Sequence, residues 1–225
     1  MTGFFLRLTE DRFAPGAEWS EALSAQSRVL YIASGQLTVW QGAAATSVEA
    51  NKAWFCVGEY TARAGHEGAR VLRYHLMEGS VSFDSSLPFG SSVESRALLE
   101  HPLELDPGAK YLVRCDRVDF DPGAEALPHR HLGGGIRCLL VGQLDVKIAD
   151  GPFRIMRPGD AWFESGKEPV HAVASREEAT SFIRVSVLPL AIRGKSSIIY
   201  VSPEDATRSK PRRYTVFVDD PIEIG

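Results

Sequence analysis

The chain is poor in cysteine, in long apolar runs and in any dominant charge, and each shortage removes a class of function. Its 3 cysteines, Cys56, Cys115 and Cys138, are odd in number, scattered and free of any CxxC. That excludes a disulfide framework or a zinc knuckle and leaves the thiols as small buried hydrophobes. No segment approaches membrane-spanning length, and the opening MTGFFLRLTED meets acids after an apolar run too short for a signal peptide. The expectation is a cytoplasmic protein with no membrane partner. Lys and Arg total 25 against 29 Asp and Glu, a formal net charge of -4. Such a balance builds no field for DNA or RNA, and the basic loop RSKPRR reads as a solvated turn. A small-molecule partner is the expectation that remains.

What the chain does contain is a long internal repeat. At an offset of about 107 residues, the scale of a duplicated domain, LRLTEDRFAPGAE (Leu6 to Glu18) falls on VRCDRVDFDPGAE (Val113 to Glu125), and GQLTV (Gly35 to Val39) on GQLDV (Gly142 to Val146). One added residue then brings Ala53, Trp54 and Phe55 onto Ala161, Trp162 and Phe163, and VLRYHLM echoes FIRVSVL. Each copy is a series of short runs rich in Val, Leu, Ile and aromatics, broken by PGA, SGQ, VGQ and RPGD turns. Those are strand and turn signals, and their regular spacing predicts an all-β jelly roll for each half. Helical periodicity survives only in fragments such as SSVESRALLEH, which predicts one short helix between the copies. The boundaries expected are residues 1–80 for the first barrel, 81–105 for a linker rich in Ser, Gly and Pro, and 106–225 for the second barrel with its C-terminal tail.

Chemistry concentrates in the second copy. In a strand, residues two apart share a face, so His129 and His131 can offer two imidazoles to one point while Arg130 faces away. His171 follows RPGDAWFESGKEPV, where a turn and a further strand can return it to the same interior. Neutral imidazole suits zinc, copper, iron and nickel.

These words resemble the cupin superfamily. GAEALPHRHLGGGIRCLLVG matches its first motif at Gly123, His129, His131 and Gly142, and RPGDAWFESGKEPVH matches its second at Pro158, Gly159, Asp160 and His171. With the duplication, the chain resembles a bicupin, two tandem cupin barrels. The resemblance implies a divalent metal on His129, His131 and His171, with Fe(II) first and Zn, Ni, Mn or Cu as alternatives. It also implies dioxygenase-like oxidoreductase chemistry on a small anionic substrate, and a homodimer or a bicupin monomer. A non-catalytic bicupin binding a small molecule or a metal is the alternative, and no residue is assigned a catalytic role.

Two departures stand out. The family carries a glutamate ligand where this chain has Gly135, and the first copy has Ala22, Ser24 and Arg28 at the corresponding ligand positions, with Arg63 near the third. The first copy is therefore expected to be structural. The glycines 133–135 either leave room for substrate or form a turn needing positive φ. Arg137 either shares the inward face, where it would clamp a substrate carboxylate, or lies on the surface. Glu164 is either an exposed glutamate or a substitute ligand, a partner to one, or a general base. Trp162 and Glu125, repeated as Trp54 and Glu18, are expected to be structural, and His66 and His75 to be ordinary surface or core histidines.

Overall fold

The computed structural model describes residues 3–21, 26–79, 92–208 and 211–224. The chain divides into two compact units, Met1–Leu105 and Asp106–Gly225. In the first, β1 (Phe4–Phe13), β2 (Glu18–Glu21), β3 (Ser27–Gln41), β4 (Ala44–Glu49), β5 (Lys52–Val57), β6 (Tyr60–Glu78) and β7 (Val93–Leu103) form one antiparallel sheet. The second contains β8 (Tyr111–Phe120), β9 (Glu125–His131), β10 (Gly135–Val141), β11 (Leu144–Ile148), β12 (Arg154–Met156), β13 (Ala161–Glu164), β14 (Val170–Ala174), β15 (Thr180–Pro189), β16 (Ile198–Tyr200) and β17 (Arg212–Ile222). They make two five-stranded sheets, β13-β10-β15-β8-β17 and β12-β11-β14-β9-β16. The described helices are two short 3-10 turns, Leu190–Ile192 and Pro203–Thr207, and no described helix is long and apolar enough to cross a membrane.

The two units repeat one pairing scheme. β1 pairs with β6 from Phe4↔Glu78 to Phe13↔Ala69, and β8 pairs with β15 from Tyr111↔Pro189 to Phe120↔Thr180. On its other edge β1 meets β7 from Phe4↔Leu103 to Phe13↔Val93, while β8 meets β17 from Tyr111↔Ile222 to Phe120↔Arg212. These pairings place two further segments. Val93–His101 of SSVESRALLEH lies in strand β7 and not in a helix, because ladder pairing along β1 outweighs a weak local helical pattern. The C-terminal tail completes the second unit, with β17 on β8 and β16 on β9. Part of the expected linker, residues 81–91, lies outside the described residues, as do Ala22 and Ser24.

The repeated GQL word has a backbone cause. Gly35 and Gly142 adopt φ of 76° and 78° where the chain bends toward its next set of pairings. A Cβ would stand 2.1 Å from the Gly68 carbonyl oxygen in one unit and 2.5 Å from Thr180 Oγ1 in the other, so both the conformation and the space demand glycine. Each unit buries its own apolar cluster, around Ile32, Leu37 and Val71 in the first and around Phe120, Leu139 and Trp162 in the second. Cys56, Cys115 and Cys138 are all buried and none is in a disulfide, as their scatter suggested.

Candidate functional site

Strand parity carries five side chains into the interior of the second unit. On β9, His129 and His131 are buried while Arg130 is exposed. On β10, Arg137 is 1% exposed, so the inward reading of that residue is the one the fold adopts. On β13, Trp162 and Glu164 share the buried face two residues apart.

The register supplies the relationship that sequence spacing could not. Gly135 on β10 lies directly opposite Glu164 on β13. The carboxylate missing from β10 is therefore delivered from the neighbouring strand at the same height. Gly133 and Gly135 are not making room for a ligand: a Cβ on Gly135 would lie 2.3 Å from Ser186 Oγ and 2.4 Å from the Val185 carbonyl oxygen, and one on Gly133 would lie 2.2 Å from the Val187 carbonyl oxygen. Their absent side chains let β15 approach.

His171 is placed elsewhere. On β14 the buried positions are Val170, Ala172 and Ala174, and Val170 is the residue that faces His129. His171 points outward, its Nε2 2.5 Å from Glu125 Oε1 and its ring 5.3 Å from that of Phe153. The reason is parity, since a residue one step late in a strand lands on the opposite face. The repeated glutamate meets a nitrogen-bearing side chain in each unit, Glu125 with His171 and Glu18 with Arg63 at 3.6 Å. Both are surface pairs, as expected for a structural glutamate.

The inner residues form a tight polar group. His129 Nδ1 lies 2.7 Å from the Leu127 carbonyl oxygen, and because a carbonyl only accepts, Nδ1 carries the proton and the neutral ring presents Nε2 as a lone pair. His131 Nδ1 lies 3.3 Å from Ser197 Oγ, with its Nε2 3.3 Å from Glu164 Oε2. The two rings stand 4.8 Å apart, nearly perpendicular. Burial lowers His129 to about 4 and His131 to about 3, with Arg212 and Arg184 adding to the first and Arg184 and Arg137 to the second, so both rings are neutral at physiological pH. For Glu164, burial favours the acid, but the Arg137 guanidinium 2.7 Å from Oε2, together with His131, holds the carboxyl far below its ordinary range. Trp162 donates from Nε1 to Glu164 Oε1 at 2.9 Å while packing edge-on against Phe182. It holds the carboxylate as well as filling the core, the role expected of it from its repeat.

Arg137 also donates to the Gly135 carbonyl oxygen at 2.6 Å. Its guanidinium is thus spent on the protein itself, which makes it a holder of Glu164 and weakens the expectation of a substrate clamp. Of the matching positions in the first unit, Arg28 and Arg63 are among the described residues. Arg28 there is fully buried and donates to the carbonyls of Gln26 and Gly58. His66 is exposed beside Glu67, and His75 is buried.

Sequence reasoning passed over Arg184 and Asp116. Both are buried, and they meet in a fork, Arg184 Nε to Asp116 Oδ1 at 2.9 Å and Nη2 to Oδ2 at 2.5 Å. The available signal was a charged residue at the centre of an apolar strand in FIRVSVL and in VRCDRVDF, since lone charges are rarely buried without a partner.

The second unit can be tested for a cation by its donors. The three-histidine set is not assembled, because His171 is outside. Among the described residues, no three histidine, cysteine or carboxylate side chains close around one point as a ready-made cage. The set that comes nearest is His129, His131 and Glu164. Its chemistry suits a divalent ion: two neutral imidazoles, each tied through Nδ1, and one ionised carboxylate.

No protein-family model matches the chain. Solved structures do. Oxalate decarboxylase of Bacillus subtilis superposes with a TM-score of 0.66 at 14% identity, over 93% of this chain and 80% of that one. The formate complex of the Lactobacillus farciminis oxalate decarboxylase gives 0.65 at 12% identity, over 90% and 82%. The chain has a cupin fold. A curated protein, the cupin-domain-containing oxidoreductase srdB of Neurospora crassa, is 30% identical over 80 residues, which span 35% of this chain and 41% of that relative.

Proposed function

We propose that the second unit is a metal-dependent cupin enzyme acting on a small anionic substrate, with the cation held by His129, His131 and Glu164. The observation that carries this reading is the Gly135↔Glu164 pairing, which returns a carboxylate to the face where the two imidazoles already converge. Two histidines, one carboxylate and open positions are the ligand pattern of non-haem Fe(II) oxygenases. Fe(II) is accordingly the assignment, with Mn(II) next, since a structure of the Bacillus subtilis oxalate decarboxylase is described by its Mn(II) centres. A cation so placed would supply Lewis acidity and, when redox-active, electron transfer.

The protein's own part is orientation and charge. Leu127 and Ser197 fix the imidazole rings, Arg137 keeps Glu164 ionised, and Trp162 aims it. Val118, Phe120, Val170 and Phe182 wall the group with hydrocarbon, which lowers the local dielectric and strengthens every charge interaction inside. We also read the two units as tandem cupin barrels from one duplication, supported by the matched pairings of β1 and β8, with the first unit as scaffold.

A non-catalytic binding module is the second reading, favoured by the Arg137 contact that already neutralises Glu164. Metal content by plasma mass spectrometry separates the two, measured on protein purified without chelator or His-tag. The enzyme reading expects near-stoichiometric iron or manganese in the wild type and in His171→Ala. It expects loss in a His129→Ala/His131→Ala double variant and in Glu164→Ala. No metal in the wild type after reloading overturns it, and loss in His171→Ala alone restores the three-histidine set.

A further inference from the structure

Among the described residues of the second unit lie two spaces of very different size. The inner one, at His129, His131 and Glu164, measures about 30 Å³, room for roughly one water. The outer one measures about 380 Å³, within the range of small-molecule sites. Arg184 and Tyr214 line both and form the partition between them. An organic molecule fits the outer chamber and not the inner one.

We propose that the outer chamber binds an organic monocarboxylate with an apolar body, its carboxylate docked on Arg184. The inference names the substrate class of the proposed enzyme and rests on that reading. Three cations and two carboxylates bound the chamber: Arg114, Arg184 and Lys195 against Asp116 and Asp219. Arg114 is a fixture of the wall, forked onto Asp219 at 2.8 and 3.1 Å and donating to the carbonyls of Lys195 and Ile192. Asp116 takes Nε and Nη2 of Arg184, so Nη1 stands outside that fork. The excess is one positive charge, on the side of the exposed Lys195, which matches a monoanion and not a dianion. Tyr200, Ile198 and Val216 supply the apolar remainder of the wall.

Arg184 is a buried charged donor at the inner end of the chamber, 5% exposed. A carboxylate reaching it trades water for a charge-assisted hydrogen bond in a place of low dielectric, where a neutral amide of the same shape gains much less.

Calorimetric titration of the full-length protein with benzoate, benzamide and oxalate tests the assignment, with metal content recorded on each sample. Benzoate is expected to bind at least about tenfold more tightly than benzamide, and more tightly than oxalate. Val216→Trp, at a wall position 53% exposed, fills the chamber without touching the inner group. It is expected to weaken benzoate at least about tenfold while leaving metal content unchanged. Lys195→Ala, at the exposed rim, is expected to weaken benzoate severalfold. Equal affinity for benzoate and benzamide, no binding of benzoate, tighter binding of oxalate, or an unaffected Val216→Trp variant each overturn the proposal. Benzoate binding of the expected pattern without metal leaves the chamber standing and removes the metalloenzyme reading. Stoichiometric metal without benzoate binding does the reverse.

Discussion

Gly135 and Glu164 are cross-strand partners on β10 and β13, and the one explains the other. Gly135 stands where β15 presses so closely on β10 that no Cβ fits. A carboxylate at this height has to come from the facing strand, and Glu164 provides it.

Glu164 is buried against Arg137, His131 and Trp162, so its removal strands a buried guanidinium. Glu164→Ala is expected to cost about 3–5 kcal/mol in urea unfolding, the range for breaking one side of a buried pair. Replacing both partners, as Arg137→Met with Glu164→Leu, should recover most of that loss. A double variant no more stable than the single one would show that the pair is not what the stability rests on.

Gly135→Ala should destabilise by about 1–3 kcal/mol, the range for overpacking a tight interior. Adding Ser186→Gly removes the hydroxyl contact at 2.3 Å but not the Val185 carbonyl at 2.4 Å. The double variant is therefore expected to stay well below wild type. Full recovery would mean that the strand spacing at this point is softer than described.

His171 and Glu125 have side chains 26% and 44% exposed. An ion pair so placed contributes about 0–1 kcal/mol, and only when the imidazole is protonated. His171→Gln should shift the chemical denaturation midpoint barely at all, whereas His129→Gln and His131→Gln, both buried among polar partners, should shift it clearly. A large loss from His171→Gln would contradict its outward placement.

Acid should destabilise the fold earlier than its carboxylates can explain. Burial, with Arg28, Arg73 and Arg7 nearby, lowers His75 from 6.5 to about 2, and His129 and His131 fall to about 4 and 3. Each ring is neutral when folded and protonates near its ordinary value when unfolded. The unfolded chain therefore binds more protons between pH 6.5 and these lowered values, and stability falls as pH falls through that window. Carboxyls held low, such as Glu10 and Asp219 with ordinary values of 4.5 and 3.8, add their loss only below those values. Between pH 6.5 and 5 the slope belongs to histidine, at up to about 1.4 kcal/mol per pH unit for each buried ring. Urea unfolding across that interval should show the slope reduced in His75→Gln. An identical slope in the variant would rule His75 out as a contributor.

Much of the architecture could be read along the chain because it rests on local rules. The GQL repeats mark bends that only glycine accommodates, the PGA words mark turns, and period-two alternation predicted that His129 and His131 share a face. The same rules failed at SSVESRALLEH, where pairing with β1 prevails over a helical pattern, and at His171, where a step of one residue reverses the face. They were silent on Glu164 against Gly135 and on Arg184 against Asp116. Those pairings join residues far apart in sequence, and their register is set by the hydrogen-bonded ladder of the whole sheet. Which face a strand presents is a property of alternation, but which residue stands opposite is a property of packing. The candidate site depends on the second.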